Sequence, residues 1–574
     1  MSTIERFLPA ISWLKSYTRA NLKEDTIVSV VFTIMVIPQS LAYAMLAGLP
    51  AITGLYASIL PSILYSLFGT SRTLAVGPVA LTSVMTASII APFAVSGSEQ
   101  YATIAILLAL MSGAFLLVLS LLKLGFLSNL LSHPVISGFI SATALIIVIG
   151  QLKYLLGIES QGDTLIPLIR SLYADLHNIN TPTVILSIAS IGSLLLARRY
   201  FGRLLLFIGL SQANAKLFSK AGPVVILVLA TVAVATLSLD QAGIRVIGTI
   251  PDEIPSIQLD LVHMDMIKDL LPGTFLITIV GFIGSVSVAQ SFAAKRRQDI
   301  NPNQELVGLG LANIGSALSG AFPVTGGFSR TVLNVDCGAK NPMTGILTAV
   351  FILLILLFLT PLFFYLPIAI LAAIISISMM QLINTEDLRL LWRFSKKEAV
   401  LLIVTFLVVL FEGMQAGLIV GVILSLLFFL WHTSHPHIAV VGRIPGTEHF
   451  RNVQRFDVET NPSILTVRID ENLFFANARS LEESLQSLVS KNTKIKHLIL
   501  MCTAVNMVDA SALQSLEKID SRLKDSGVKL HLTEVKGPVI DKLADSDLIK
   551  NLSGKVFITQ HQAITELEGE QANS

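Results

Sequence analysis

Charge is what this chain has least of. Of its 574 residues only 14% are Asp, Glu, Lys or Arg, where a soluble globular chain carries about 25%, so a chain that is soluble throughout is excluded. Acids are missing over long stretches: none occurs between Asp25 and Glu99, Glu99 and Glu159, Asp175 and Asp240, or Asp336 and Glu386. Cysteine is nearly absent too. Cys337 and Cys502 lie in different regions, which excludes a disulfide framework. The opening "MSTIERFLPAISWLKSYTRANLKED" lacks the apolar core of a cleaved signal and reads as an amphipathic stretch on the cytoplasmic surface. No nucleophile–base pair, metal-ligand spacing or nucleotide loop is visible, so no enzyme, cofactor or metal is expected. The net charge of +2 favours no acidic partner, nucleic acid included.

What is present is apolar: 53% of the residues, with a mean hydropathy of +0.73. A membrane-crossing helix needs about 20 apolar residues. Spans are expected near 27–47, 51–69, 74–92, 101–122, 134–156, 182–197, 222–239, 271–293, 303–319, 326–335, 341–361, 366–383, 397–411 and 415–432. The third and tenth are too polar, or too broken, for plain helices. Connections after even-numbered spans hold Arg72, Lys123, Arg198, Arg199, Arg203, Lys295, Arg296, Arg297, Arg389, Arg393, Lys396 and Lys397, while those after odd-numbered spans are almost free of Lys and Arg. The positive-inside rule then puts both termini in the cytoplasm. After about residue 445 charges become regular and apolar runs shrink to strand length, which marks a soluble C-terminal domain of roughly 110 residues.

Two stretches echo each other. "GLYASILPSILYSLFGTSRTLAVGPVALTS" (54–83) and "GLGLANIGSALSGAFPVTGGFSRTVLN" (308–334) each run from an apolar helix through a short β-like piece to Gly-Pro or Gly-Gly and a new helix start. Paired interrupted segments at matching places in two halves point to an inverted-repeat transporter. A helix that begins in mid-membrane offers free N–H groups and its positive dipole end, and two such ends facing each other make an anion site. The extended pieces must pair with each other or line a cavity, because lipid satisfies no backbone group. The bland alternative is that the glycines only allow close helix packing. Arg330, alone in the membrane, suits an oxyanion; it could instead pair with a carboxylate such as Glu412 or Glu305, or stack against backbone carbonyls. Glu412 reads as a loop residue between the last two spans, and Glu305 as structural at a span start.

These residues resemble the SulP sulfate permease and anion-exchanger family, whose animal members include pendrin and prestin. The resemblance rests on "IPQSLAYAMLAGLPAITGLYASILPSILYSLFGTSR" (37–72), "AVGPVALTS" (75–83), "NQELVGLGLANIGSALSGAFPVTGGFSRTVLN" (303–334) and the C-terminal domain. It implies a membrane all-α domain of about fourteen spans, a 7+7 inverted repeat with two half-helices (the uracil-permease-like fold), and a homodimer. By motif it assigns the anion site to Gln39 and Tyr43 of "PQSLAY", to Gly77, Val79 and Ala80 of "VGPVA", and to Gly327, Phe328, Ser329 and Arg330 of "GGFSRT". Gln39 could equally make a helix–helix hydrogen bond. One position departs. Where many bacterial and plant members keep a carboxylate in span 8, this chain has Gly284, in "GFIGSVSVA" (281–289). A membrane carboxylate is the natural carrier of a symported proton, so anion exchange or uniport-like movement is expected instead.

The expected domains are a cytoplasmic segment 1–26, a transport domain 27–432, a linker 433–460 and a domain 461–574. In the last, "ILTVRID" and "HLILMC" read as buried strands. "ARSLEESLQSLVS" and "ASALQSLEKIDSRLKDSG" read as amphipathic helices, and "KLHLTEV" and "KVFITQ" as further strands of an α/β domain. The histidines of "HTSHPH" (432–437) read as solvated rather than metal-binding. The domain resembles STAS, the anti-sigma-factor-antagonist module, through "NMVDASALQSL" (506–516): Asp509 can cap the following helix and Ser511 is a possible phosphoacceptor, although Ala510 and Ala512 depart from the motif. The resemblance implies roles in dimer contact, stability and docking of a regulatory protein. The leading expectation is a secondary transporter of inorganic oxyanions, sulfate first, in a bacterial inner membrane. Bicarbonate, chloride or a dicarboxylate are alternatives, and a membrane-anchored STAS signalling protein is the reading from another class.

Overall fold

The computed structural model describes residues 8–129, 132–160, 162, 164–209, 212, 222–248, 264–358 and 363–572. The start of the amphipathic N-terminal stretch and much of the connection near 240–270 lie outside them. The chain divides into two compact units, Met1–Ser425 and Leu426–Ser574.

Fourteen helices coincide with the expected spans: α1 (Arg19–Leu46), α2 (Thr53–Phe68), α3 (Ala80–Ile90), α4 (Glu99–Leu121), α5 (His133–Leu156), α6 (Thr181–Phe207), α7 (Gly222–Thr236), α8 (Met264–Lys295), α9 (Pro302–Leu318), α10 (Phe328–Asp336), α11 (Met343–Phe358), α12 (Ile368–Met380), α13 (Lys396–Glu412) and α14 (Met414–Ser434). Short helices at Leu165–Ala174 and Thr385–Phe394 fill two connections. Among the described residues five of the fourteen starts carry a side-chain cap. Side chains of Thr18, Ser98, Asn180, Asn301 and Ser395 accept first-turn amides of α1, α4, α6, α9 and α13, each satisfying donors that would otherwise be orphans. Among the described residues six helices are long and apolar enough to cross a membrane. α3 and α10, with 11 and 9 residues, fall well short of that length.

Packing shows the repeat that the sequence echo announced. Helix α4 packs on α9 as α2 packs on α11; α1 on α11 as α4 on α8; α5 on α13 as α6 on α12. Each pair becomes its counterpart when seven is added to or subtracted from the helix numbers, and α2–α9 and α5–α12 map onto themselves. The two halves meet in a two-stranded antiparallel ribbon of β1 (Val76–Gly77) and β2 (Thr325–Gly326), with Val76 opposite Gly326 and Gly77 opposite Thr325. One buried carboxylate ties the start of α9 to the end of α2. Glu305 accepts from the Tyr65 hydroxyl at 2.7 Å, the Thr70 amide and hydroxyl at 2.7 and 2.6 Å, and the Ser71 amide at 3.2 Å. That is the structural role its sequence position suggested. A buried carboxylate persists only with such a full set of donors.

The second unit is a six-stranded sheet in the order β4-β3-β5-β6-β7-β8: β3 (Ile438–Arg443), β4 (Phe450–Asn452), β5 (Ile464–Ile469), β6 (His497–Met501), β7 (Lys529–Thr533) and β8 (Val556–Phe557). Strands β5 to β8 run parallel and β3 antiparallel to β5, with α15 (Ala478–Ser490), α16 (Ala510–Asp525) and α17 (Gln560–Ala572) among its helices. The stretch 433–460 is not a plain linker: it supplies β3 and β4, an antiparallel hairpin whose first strand also joins β5. Nor is "HTSHPH" a loose tract. His432 lies inside α14, His435 stacks on Trp431, and His437 Nδ1 is 2.7 Å from Asp470. Among the described residues no group of His, Cys, Asp and Glu could hold a metal ion.

Candidate anion site

Helices α3 and α10 start where the chain has just left the β1–β2 ribbon. Their N-caps are Val79 (φ −134°, ψ 140°) and Gly327 (φ −96°, ψ 136°), both extended, and neither offers a side-chain oxygen to the first turn. No acceptor for the amides of Ala80, Leu81 and Thr82, or of Phe328, Ser329 and Arg330, is present among the described residues. These two termini thus keep the orphan donors that capping side chains remove at α1, α4, α6, α9 and α13. They also touch. A Cβ placed on Gly327 would stand 2.8 Å from Val79 Cγ2, so Gly327 is required for this close approach.

The ribbon's outward-facing backbone groups are met by side chains from the surrounding helices. Ser285 Oγ accepts the Gly326 amide at 2.8 Å, Asn313 receives the Val324 amide and donates to its carbonyl at 2.9 Å each, and Ser62 donates to the Val76 carbonyl at 3.1 Å. Thr331 Oγ1 accepts the Ala75 amide at 3.2 Å, and Asn334 donates to the Thr73 carbonyl at 3.1 Å. Irregular backbone at such depth survives only when satisfied in this way.

Arg330 is the third residue of α10, within its first turn, and is 2% exposed. Its Nη1 donates to the Pro78 carbonyl at 3.1 Å and to Ser40 Oγ at 3.5 Å, and its Nη2 to Ser58 Oγ at 3.3 Å. Ser40 and Ser58 are themselves 3.0 Å apart. Neither carboxylate considered as its partner reaches it: Glu305 is engaged with Tyr65, Thr70 and Ser71, and Glu412 is exposed at the end of α13. The guanidinium is held at the Pro78 carbonyl, next to the start of α3, and Gly77 makes room for it, since a Cβ there would be 2.5 Å from Nη1.

The other sequence-assigned residues are placed as follows. Tyr43 of α1 is buried in one apolar cluster with Ala80. Gln39, a turn earlier, is buried with its Oε1 unpaired. Ser329 is half-buried, and no partner for its hydroxyl occurs among the described residues. Phe328 is 53% exposed and leans on Phe292, with ring centroids 6.1 Å apart, so it stands at the edge of the site. Gly284 is half-buried, and a Cβ there would meet nothing within 4 Å. In the second unit Asp509 caps α16 through the Ala512 amide at 2.8 Å and also accepts the Phe475 amide at 2.9 Å, while Ser511 is exposed. Ser40, Ser58, Ser285, Asn313 and Thr331 escaped the sequence reading. Ser40 lay inside the quoted "PQSLAY" and Thr331 inside "GGFSRT", and the others carry no local signal beyond being polar in apolar runs.

Residues 22–405 match the sulfate permease family. The chain belongs to that family. Residues 455–563 match the STAS domain. The chain is 34% identical over 576 residues to "Sulfate transporter 4.1, chloroplastic" of Arabidopsis thaliana, covering 98% of this chain and 82% of that one. It is 30% identical over 559 residues to a probable sulfate transporter of Mycobacterium tuberculosis, covering 97% of each. Its fold matches the structure of SLC26A9 with a TM-score of 0.86, at 22% identity over 99% of this chain and 94% of that one. It also matches the transmembrane domain of the cyanobacterial bicarbonate transporter BicA with a TM-score of 0.59, at 25% identity over 71% of this chain and 98% of that one. A multi-pass membrane protein with a C-terminal STAS domain follows, in a family of transporters and not of enzymes.

Proposed function

We propose that this SulP protein moves an inorganic oxyanion, sulfate first, across a membrane by alternating access, holding it between the starts of α3 and α10. One observation carries the reading: two uncapped helix N-termini in contact through Val79 and Gly327, beside a buried guanidinium that no carboxylate among the described residues neutralises. The first-turn amides around Ala80 and Ser329, with the Ser329 hydroxyl, are the hydrogen-bond donors. Arg330 supplies a full positive charge beside them, and Gln39 and Tyr43 close the wall on the α1 side. Dipole ends and a cation in an apolar setting attract an anion far more strongly than in water.

Alternating access has support in the packing. The seven-helix exchange is incomplete: α1 packs on α12 and α6 on α7, whereas among the described residues the counterpart pairings of α8 with α5 and of α13 with α14 are weak or missing. A repeat protein caught open to one side breaks its symmetry in that way. The basic connections after even-numbered spans support termini in the cytoplasm. The STAS domain, with Ser511 exposed at the start of α16, suits dimer contact and regulatory docking. The relatives named as sulfate transporters favour sulfate over bicarbonate, chloride or a dicarboxylate. The test is a panel of these anions, radiolabelled, in proteoliposomes under proton, sodium and counter-anion gradients. Sulfate uptake driven by a counter-anion is expected, and no uptake of any anion under any gradient would end the proposal.

A further inference from the structure

A cavity of about 940 Å³ opens where the ends of α1, α3 and α5 come together. It runs along α3 from Ala91 inward to Val84, four residues and so about 6 Å from the helix start at Ala80. Among the described residues no Asp or Glu lines it, and the one charge is Lys153, in the last turn of α5.

The polar groups on that wall are donors with few partners. The Lys153 ammonium meets no carboxylate among the described residues; it lies 3.4 Å from the Ser160 carbonyl and 5.0 Å from the Tyr154 ring centroid. Gln151 is 3% exposed, and among the described residues its amide makes no hydrogen bond. The Ser160 hydroxyl is buried and also unpaired. A cation near a helix C-terminus is favourable for the helix itself, and that alone would account for Lys153. It would not account for a buried hydroxyl left without a partner beside that cavity, since such a group costs free energy unless something hydrogen-bonds it, nor for the Gln151 amide lining the same cavity with no protein partner among the described residues.

We infer that this cavity is a second, weaker anion site, a vestibule in which Lys153, Gln151 and Ser160 collect an inorganic oxyanion before it passes along α3 to the Val79–Gly327 site. The inference rests on the transport reading. Lysine fits a collecting role, because a compact, strongly hydrated charge on a flexible stem attracts an anion without the tight bidentate grip of arginine. One sign of charge in a cleft with low-dielectric walls raises the local concentration of the opposite ion. In the proposed topology the vestibule faces away from the side that holds the termini.

The test is sulfate uptake by the full-length protein in proteoliposomes at low and high ionic strength. Lys153→Gln is expected to raise KM roughly threefold to tenfold at low ionic strength with kcat retained, and Lys153→Arg to stay near wild type. The difference should shrink at high salt, since screening lengths fall from about 30 Å at 0.01 M to about 3 Å at 1 M. Lys153→Cys provides a second route that does not depend on how Lys153→Gln folds. Cys337 and Cys502 are both buried, so a membrane-impermeant thiol reagent reads the new thiol. A cationic adduct should restore the low KM and an anionic adduct should raise it further. Unchanged KM in Lys153→Gln, a fall in kcat alone, or equal effects of the two adducts would overturn the vestibule while leaving transport standing. A wild-type protein that moves no anion would remove both.

Discussion

The guanidinium of Arg330 fills the space that a side chain at Gly77 would take, its Nη1 standing 2.5 Å from where a Cβ would be. Residues in opposite halves of the repeat are thus fitted to each other across the β1–β2 ribbon. Gly77→Ala must displace the guanidinium from the Pro78 carbonyl and Ser40. Sulfate uptake should fall about tenfold or more, a change of about 1.4 kcal/mol, while the melting temperature in detergent moves little. Wild-type uptake in Gly77→Ala would show that the position of the guanidinium is unimportant.

Glu305 predicts the opposite balance. Its removal in Glu305→Ala strands the Tyr65 hydroxyl and the Thr70 and Ser71 amides, at a cost of about 3 kcal/mol. A clear drop in melting temperature should result, and Glu305→Gln, which keeps acceptor oxygen, should recover part of it. A melting curve like wild type in Glu305→Ala would refute the cross-link.

Gly284 has room for a side chain, since a Cβ there would meet nothing within 4 Å. Gly284→Glu should therefore meet no steric barrier, and the loss of a helix-interior glycine favours it. An intramembrane carboxylate without donors costs about 2 to 3 kcal/mol, however, so Gly284→Glu is expected to retain the fold with a lowered melting temperature. It should also make uptake respond to an inward proton gradient that leaves wild type unaffected. Uptake in Gly284→Glu that ignores the gradient would separate this position from coupling.

In the C-terminal sheet, His531 Nε2 lies 3.1 Å from His497 Nδ1, and His531 Nδ1 accepts the Lys555 amide at 3.0 Å. Burial first, then the His497 charge, push the His531 pKa down to about 4; Lys529 and Lys555 act the same way and Glu570 opposes them. Unfolded histidine titrates near about 6.5. The folded value is lower, so the stability His531 contributes is present above that pH and is lost as pH falls toward the folded value. Amide exchange in β7 of the full-length protein should accelerate between pH 7 and 4.5, and less so in His531→Gln. Equal acceleration in both would place the cause elsewhere.

Much of the fold was legible because the membrane simplifies it. Long acid-free apolar runs, the alternation of Lys and Arg, and the matched Gly-Pro and Gly-Gly breaks together point to one arrangement, and the fourteen helices stand where those signals put them. The contacts of Arg330 were not legible. Ser40 and Ser58 are 290 and 272 residues away in sequence, and a serine in an apolar helix looks the same whether it bonds its own turn or a guanidinium. Strands β3 and β4 were missed for a related reason: they are short, and they become strands by joining β5 and each other. Phe328 was assigned to the site by its place in "GGFSRT", yet the helix turns it toward Phe292 while Arg330, two residues on, points inward.

The central claim is that Arg330 serves an anion and not the fold. A buried cation without a carboxylate partner among the described residues is a burden on the folded state that outweighs its hydrogen bonds to the Pro78 carbonyl, Ser40 and Ser58, so replacing it with an apolar side chain should not destabilise the protein. The decisive measurement is sulfate binding to purified wild type and Arg330→Met, read as ligand-induced thermal stabilisation beside each protein's own melting temperature. Arg330→Met is expected to melt at or above the wild-type temperature and to show no shift with sulfate. An Arg330→Met protein that melts much lower, or that sulfate stabilises as well as it does wild type, would contradict the claim.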